Sequence, residues 1–359
     1  MISSLYRETL PIQAVTWQPD DKGRSSMANK NLHKAKEAKN DEFYTKYNDI
    51  AEEVGRYKRH FKDKIVFCNC DDPEWSKFWQ YFETKFEDFG LKKLISTHYN
   101  QDGSPSYALI FEGKYRDDGS SDTQKIELVG NGDFKSPECI EFLKESDIVC
   151  TNPPFSIARE EYLPLLMEYD KKFLIIGDDN WITYKDIFKL FKDNRIWKGF
   201  THVKSFLQPN GVEKKFGNKS WYTNLDNEVR HKKLILLQDY DINDYIKYYN
   251  YEAIDISKQN ENGEWKADIR LIPDFYKGYM GVPITFIDKY NPEQFEIIGL
   301  GIASSGLDIG VRPYTKEHKE YRTKYDHKGA VDGDLYMVNE ENHPIVPYAR
   351  IIIKRKEVN

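Results

Sequence analysis

Long apolar runs are missing from this 359-residue chain: no stretch approaches the ~20 residues that a membrane span requires. The N-terminus lacks the continuous apolar core of a secretory leader. Cysteine is scarce. Cys68, Cys70, Cys139 and Cys150 are too few for a disulfide framework, and Cys68-Asn69-Cys70 has the wrong spacing for a usual zinc pair. They read as reduced thiols of a cytoplasmic protein without a metal. A net charge of −6 excludes a uniformly basic surface, although phosphate binding needs only a local basic stripe. Internal repeats and low-complexity tracts are also lacking.

What is present is a wet chain that can still bury a core, 39% hydrophobic and 31% charged. Its 14% aromatic content suits either a Phe- and Tyr-rich core or stacking on bases. Residues 1–28 mix Pro, Gln, Ser and charges without period and read as a disordered leader. Met27 is a second possible start. The cluster Lys30, His33, Lys34, Lys36 and Lys39 suits a solvated helix face or a phosphate-contacting arm. From residue 64 strand and helix alternate. "KIVFC" (64–68), "LKKLIST" (91–97), "DIVCT" (147–151) and "KFLIIG" (172–177) are short apolar runs suited to a buried parallel sheet. "SYALIF" (106–111) and "KIELV" (125–129) flank a polar loop. Aromatic spacing predicts a helix from Trp75 to Phe89 ended by Gly90. Ser136-Pro137 opens another helix, and Thr183 with Asp186 forms a near-capping box. This alternation predicts an α/β fold, a doubly wound Rossmann-like sheet with helices on both faces. Beyond about residue 200, short runs such as "VKSFLQ", "SWYTNL" and "KLILLQDY" suggest antiparallel edge strands and a smaller mixed or β-rich C-terminal region.

Ligands of such a sheet bind outside the carboxyl ends of its strands. Three loops converge there: "NCDDP" (69–73), "GNGDF" (130–134) and "NPPF" (152–155). In the last, the Asn152 side chain and the Pro153 carbonyl are two acceptors suited to a planar –NH2 group. Pro154 makes the turn rigid, and Phe155 can stack on the ring bearing that amine. Drawing the amine protons aside exposes a nitrogen lone pair, and a target base must first swing out of its duplex. Gly130 and Gly132 allow close backbone approach, Asp133 can accept from an adenine amine, and Phe134 can flank that ring. "NCDDP" lacks the glycine-rich pyrophosphate cradle, which a nucleoside without phosphate does not need; Asp71 or Asp72 can hold a ribose or an ammonium.

The order "DEFYT" (41–45), "KIVFCNCDDP" (64–73), "GNGDF", "TNPPFS" (151–156) and "KFLIIGDDNWIT" (172–183) resembles the adenine-specific DNA methyltransferases of the EcoRI type, in their gamma arrangement. The resemblance runs from about Asn29 to the C-terminus. It implies S-adenosylmethionine as methyl donor and N6 of an adenine in double-stranded DNA as acceptor. By it, Phe43, Tyr44 and Thr45 line the methionine end of the cofactor. Cys68, Asn69, Cys70, Asp71 and Asp72 lie under its sugar, and Asp133 and Phe134 hold its adenine. Asn152, Pro153, Pro154 and Phe155 bind the target base. The departure is at the second strand, which ends in "THYN" rather than an acidic residue and leaves Asn100 or Asp102 for the ribose. The same resemblance implies a methyltransferase domain over 29–225 and target reading over 226–359. A cognate restriction endonuclease would share the site without forming a complex.

DNA contacts are expected from Lys214, Lys215 and Lys219 around a hairpin-like turn, and from Arg312 and Lys316 in "VRPYTKEHKEY" (311–321). Trp221 or Tyr222 is expected as the far wall of the base pocket. Two other readings stay open: methylation of another planar amine, on RNA or on a protein glutamine, and a DNA-binding relative without catalysis.

Overall fold

The computed structural model describes residues 43–70, 72–74, 76–208, 211–261, 264–326 and 329–357. The expected leader, the basic cluster, Asp71 and Trp75 lie outside them. Eight strands form the main sheet: β1 (Ile65–Cys68), β2 (Lys93–Thr97), β3 (Tyr107–Phe111), β4 (Gln124–Glu127), β5 (Ile148–Thr151), β6 (Lys172–Asp178), β7 (Trp197–Leu207) and β8 (Glu213–Thr223). Their order is β4-β3-β2-β1-β5-β6-β8-β7. The centre, β2-β1-β5-β6, is parallel, and both margins are antiparallel. The chain leaves β1 toward β2 on one side and returns to β5 on the other. The ends of β1 and β5 therefore meet at the switch point, where open α/β sheets bind ligands.

The short apolar runs become central strands because both their faces are covered. Ile65, Phe67, Ile95, Val149, Phe173 and Ile175 point to one side, Val66, Cys68, Leu94, Ile148, Cys150, Leu174 and Ile176 to the other, with the two-residue period of a strand. Against the second set pack α1 (Tyr47–Val54), α2 (Lys77–Thr84) and α3 (Phe86–Phe89). Against the first pack α4 (Pro137–Glu145), α5 (Leu163–Glu168) and α6 (Lys185–Lys192).

Local signals mostly carry through. Gly90 caps α3 at φ 64°, though the expected single helix breaks at Lys85. Ser136 Oγ accepts from Cys139 N at 3.2 Å, with Pro137 in the first turn of α4. Thr183 does not cap α6: its hydroxyl turns back to Asn180 O at 2.8 Å, and no side-chain cap bond is present there.

β7 and β8 are 11 residues each, longer than the short strands expected, and complete the sheet as a bulged hairpin. "KLILLQDY" is not a strand; Leu237 makes one isolated bridge to Pro273. A second sheet contains β9 (Ala253–Asp255), β10 (Tyr279–Pro283), β11 (Phe295–Leu300) and β12 (Arg350–Arg355), in the order β11-β12-β10-β9. Beside it lie α7 (Ala303–Asp308) and α8 (Lys316–Tyr325). Its core holds an ion pair, Arg350 Nε to Asp255 Oδ2 at 2.8 Å. Among the described residues no helix is long and apolar enough to cross a membrane.

Candidate active site

Asn69, directly after β1, ties the two central loops together. Thr151, the last residue of β5, donates to the Asn69 main-chain carbonyl, and the Tyr162 hydroxyl donates to Asn69 Oδ1. Asn69 is fully buried, yet its Nδ2 has no hydrogen-bond partner among the described residues. Thr45 Oγ1 is in the same condition. A buried donor left unpaired costs free energy, so two of them at one sheet edge mark a place for a polar ligand.

The neighbouring loops are braced by side chains. Ser96 Oγ donates to Cys68 O at 2.8 Å, and Asp72 Oδ2 lies 3.0 Å from His98 Nδ1 at the end of β2. Gly132 has φ 80°, and a Cβ there would stand 1.9 Å from His98 O, so only glycine lets "GNGDF" cross the end of β2. Glu138 collects the Val129 and Gly130 N–H groups, each at 2.9 Å. Asp133 Oδ1 accepts from Lys135 N at 2.8 Å, and Phe134 meets Tyr162 edge-on at 5.3 Å. Asn100 is spent on Pro105 O at 2.7 Å, and Asp102 on Ser104 N at 2.9 Å.

"NPPF" leaves β5 as a corner. Pro154 O accepts from Ile157 N and Ala158 N at 3.1 and 3.0 Å. A wide π-turn follows at Ala158–Tyr162, with Tyr162 N reaching Ile157 O at 3.1 Å. Such turns recur at functional sites, and this one delivers the Tyr162 hydroxyl to Asn69. Asn152 is 6% exposed, and its Nδ2 donates to the Phe43 carbonyl at 2.5 Å. The Phe155 ring lies nearly parallel to Phe43, centroids 5.7 Å apart and planes at 14°, with Phe206 and Phe216 against its edges. Lys219 Nζ sits 3.7 Å above the Phe155 centroid and is paired with Asp178 at the end of β6. Beside it, burial pushes the Asp179 carboxyl up, but Lys198 at 2.7 Å and Ser220 outweigh this and hold it below the usual range.

Of the expected site residues, Asn152, Pro153, Pro154, Phe155, Phe43, Thr45, Asn69 and Lys219 come together. Tyr44 is held to Leu207 at the end of β7 by two main-chain bonds of 2.8 and 2.9 Å. Cys68 is buried and Cys70 half-buried beside them. Lys214 reaches Phe43, with Nζ 5.1 Å from its centroid, while Lys215 is exposed. Trp221 and Tyr222 do not wall an opening. Both are fully buried, Trp221 against Phe78 and Tyr222 against Trp181, because β8 is an interior strand covered on both faces. Arg312 bonds Tyr249 O at 2.7 Å, and Lys316 opens α8 beside the second sheet. Sequence reasoning missed Phe206, Phe216, Tyr162 and Asp178; only Asp178 carried a signal, as the acidic end of an apolar run.

A family model for the adenine-specific methyltransferase EcoRI matches residues 31–356. The chain belongs to that family. It is 45% identical over 319 residues to the type II methyltransferase M.EcoRI of Escherichia coli, covering 80% of this chain and 94% of that protein. It is 37% identical to the type II methyltransferase M.MpnI of Mycoplasma pneumoniae over 349 residues, 91% and 98% of the two chains. The type II methyltransferase M.MgeORF184P of Mycoplasma genitalium is 35% identical over 350 residues, 91% and 99%. No solved structure matches. This methyltransferase thus acts on adenine in DNA, and the large mixed sheet is consistent with a methyltransferase fold. Among the described residues no group of three or more His, Cys, Asp and Glu side chains could hold a metal.

Proposed function

We propose that this methyltransferase moves the methyl group of S-adenosylmethionine to N6 of an adenine swung out of duplex DNA. The observation that carries the reading is the meeting of two unlike sites at one switch point: an acceptor corner at Asn152–Phe155, and buried unpaired donors at Thr45 and Asn69. Thr45 Oγ1 and Asn69 Nδ2 fit the carboxylate of an amino-acid-bearing cofactor. Tyr44 would stand with them at the methionine end, and Cys68, Cys70, Asp71 and Asp72 would follow the sugar, with Asp72 the carboxylate already standing at the end of β2. Asp133 and Phe134 would hold its adenine. When bound, the cofactor supplies a methyl group on a sulfonium.

The chain's part is alignment. The Asn152 side chain and the Pro153 carbonyl accept the two protons of the target amine, drawing them from the ring plane as the nitrogen pyramidalises. Phe155, covered by Phe43 and Lys219, would open one face to stack on the base, and Pro153-Pro154 prevents the corner from yielding. Holding the amine in a fixed place and orientation would supply a large part of the rate. The amine nitrogen would take the methyl group that the cofactor supplies, and one of the two protons held by Asn152 and the Pro153 carbonyl would then leave to water.

The finer architecture belongs to the same reading: a doubly wound, Rossmann-like sheet over 29–225 and a target-recognition region over 226–359. Lys214, Lys215, Lys219, Arg312 and Lys316 would meet phosphates and base edges. The enzyme would act in the cytoplasm, with a cognate endonuclease cutting the same sequence independently.

Tritiated-methyl transfer to duplex DNA, RNA and protein tests this. Label should enter DNA alone. Asn152→Ala should lower turnover about 100- to 1000-fold while cofactor affinity stays within about threefold. Label in RNA or protein instead, or equal loss of turnover and cofactor binding, contradicts it.

A further inference from the structure

Phe43 stands at the junction of the two sites, and its geometry gives it a role distinct from lining the cofactor. Asn152 Nδ2 donates to its main-chain carbonyl at 2.5 Å. An amide carries its nitrogen and oxygen on opposite branches, so this one bond turns Oδ1 away from Phe43. With it, the branch facing Phe43 must be the N–H, and the oxygen is the branch left for an incoming amine. The carbonyl itself is held firmly. The Phe43 ring packs parallel to Phe155 at 5.7 Å and edge-on to Phe216 at 4.8 Å and Phe206 at 6.5 Å. The next residue, Tyr44, is locked to Leu207 by paired main-chain bonds.

We propose that Phe43 is a positioning residue of the target site, whose carbonyl sets the Asn152 amide so that its oxygen is the acceptor for the target amine. This rests on the methyl-transfer reading above. Asn152→Asp discriminates, because it puts a carboxylate oxygen where an N–H now meets the Phe43 carbonyl. Ionised, that carboxylate repels the carbonyl; protonated, it donates as the amide does. Activity of Asn152→Asp is therefore present below the titration of its carboxyl and lost as pH rises through it. Phe43→Ala loosens the carbonyl, and Phe43→Leu keeps apolar bulk at the same place.

The assay uses the full chain, tritiated S-adenosylmethionine and genomic DNA lacking methylated adenine, with cofactor binding measured by calorimetry and folding by thermal melting. Misplacement of a reacting group by an ångström costs about 100-fold. On that scale Phe43→Ala should lower kcat about 10- to 100-fold with cofactor Kd unchanged, and Phe43→Leu should recover most of it. Asn152→Asp should regain activity toward acid pH relative to the parent. The proposal is overturned if Phe43→Ala or, where that variant does not fold, Phe43→Leu weakens cofactor binding in step with kcat. It is equally overturned if both fold and keep full kcat, or if the Asn152→Asp pH profile parallels the parent. An Asn152→Ala enzyme that still methylates DNA fully would instead remove the underlying reading.

Discussion

At the scale of single residues, the site depends on atoms that have one acceptable occupant. Gly132 is the clearest case: at φ 80°, any Cβ collides with the His98 carbonyl, a backbone atom that cannot swing aside. Gly132→Ala should destabilise by about 1–3 kcal/mol from backbone strain and weaken cofactor binding, which melting and calorimetry together would register. A variant with both unchanged would mean that "GNGDF" does not support the site. Asn69 offers a second test. Its Oδ1 is engaged by Tyr162, so its Nδ2 is the group available to an anion. Asn69→Asp puts a carboxylate where a cofactor carboxylate is proposed, and a charged hydrogen bond contributes about 1.5–3 kcal/mol. Affinity for S-adenosylmethionine should fall at least tenfold, measured beside the melting temperature; unchanged affinity would move the methionine end elsewhere.

Among elements, the hairpin β7–β8 does more than close the sheet. It brings Phe206, Phe216 and Lys219 to Phe155, and its bulge is held by α1. Glu53 Oε1 accepts from Phe200 N at 2.8 Å, and Oε2 from Thr201 N and Oγ1 at 2.8 and 2.7 Å. Burial raises the Glu53 pKa despite these bonds. The folded state therefore binds a proton more readily than the unfolded chain. Its contribution is most favourable below the ordinary carboxyl range and declines as pH rises through the raised pKa. Glu53→Gln should flatten that part of the stability–pH curve in denaturant melts; an unaltered slope would show that another group sets it. This hairpin is also where the sequence was hardest to read. The central strands were legible because short apolar runs such as "IVFC" and "FLII" between polar stretches suit a strand covered on both faces. β8 reads "EKKFGNKSWYT", lysine-rich and polar, like an exposed turn. Yet Lys219 is buried by its pairing with Asp178, a partner 41 positions away that no local pattern announces. For the same reason Trp221 and Tyr222 looked available for a base, whereas an interior strand buries both. The abrupt turn after β5 was legible, because two prolines after a strand leave little conformational choice.

Across the whole molecule, a chain of net charge −6 would meet a polyanion through local placement of its basic residues. The lysines of the β7–β8 hairpin rise beside the acceptor corner, while Arg312 and α8 stand with the second sheet. The strand ends of β1, β2 and β5 lie side by side at the sheet's switch point, and the proposed turnover there depends on alignment. The central claim is that this edge methylates N6 of adenine in DNA through Asn152. The direct measurement is base-resolved sequencing of modified adenines, with mass spectrometry, on DNA from otherwise unmethylated cells expressing either the parent or Asn152→Ala. The account predicts N6-methyladenine at one recurring sequence with the parent and almost none with the variant. Equal methylation by both, or a modification on another base, would contradict it.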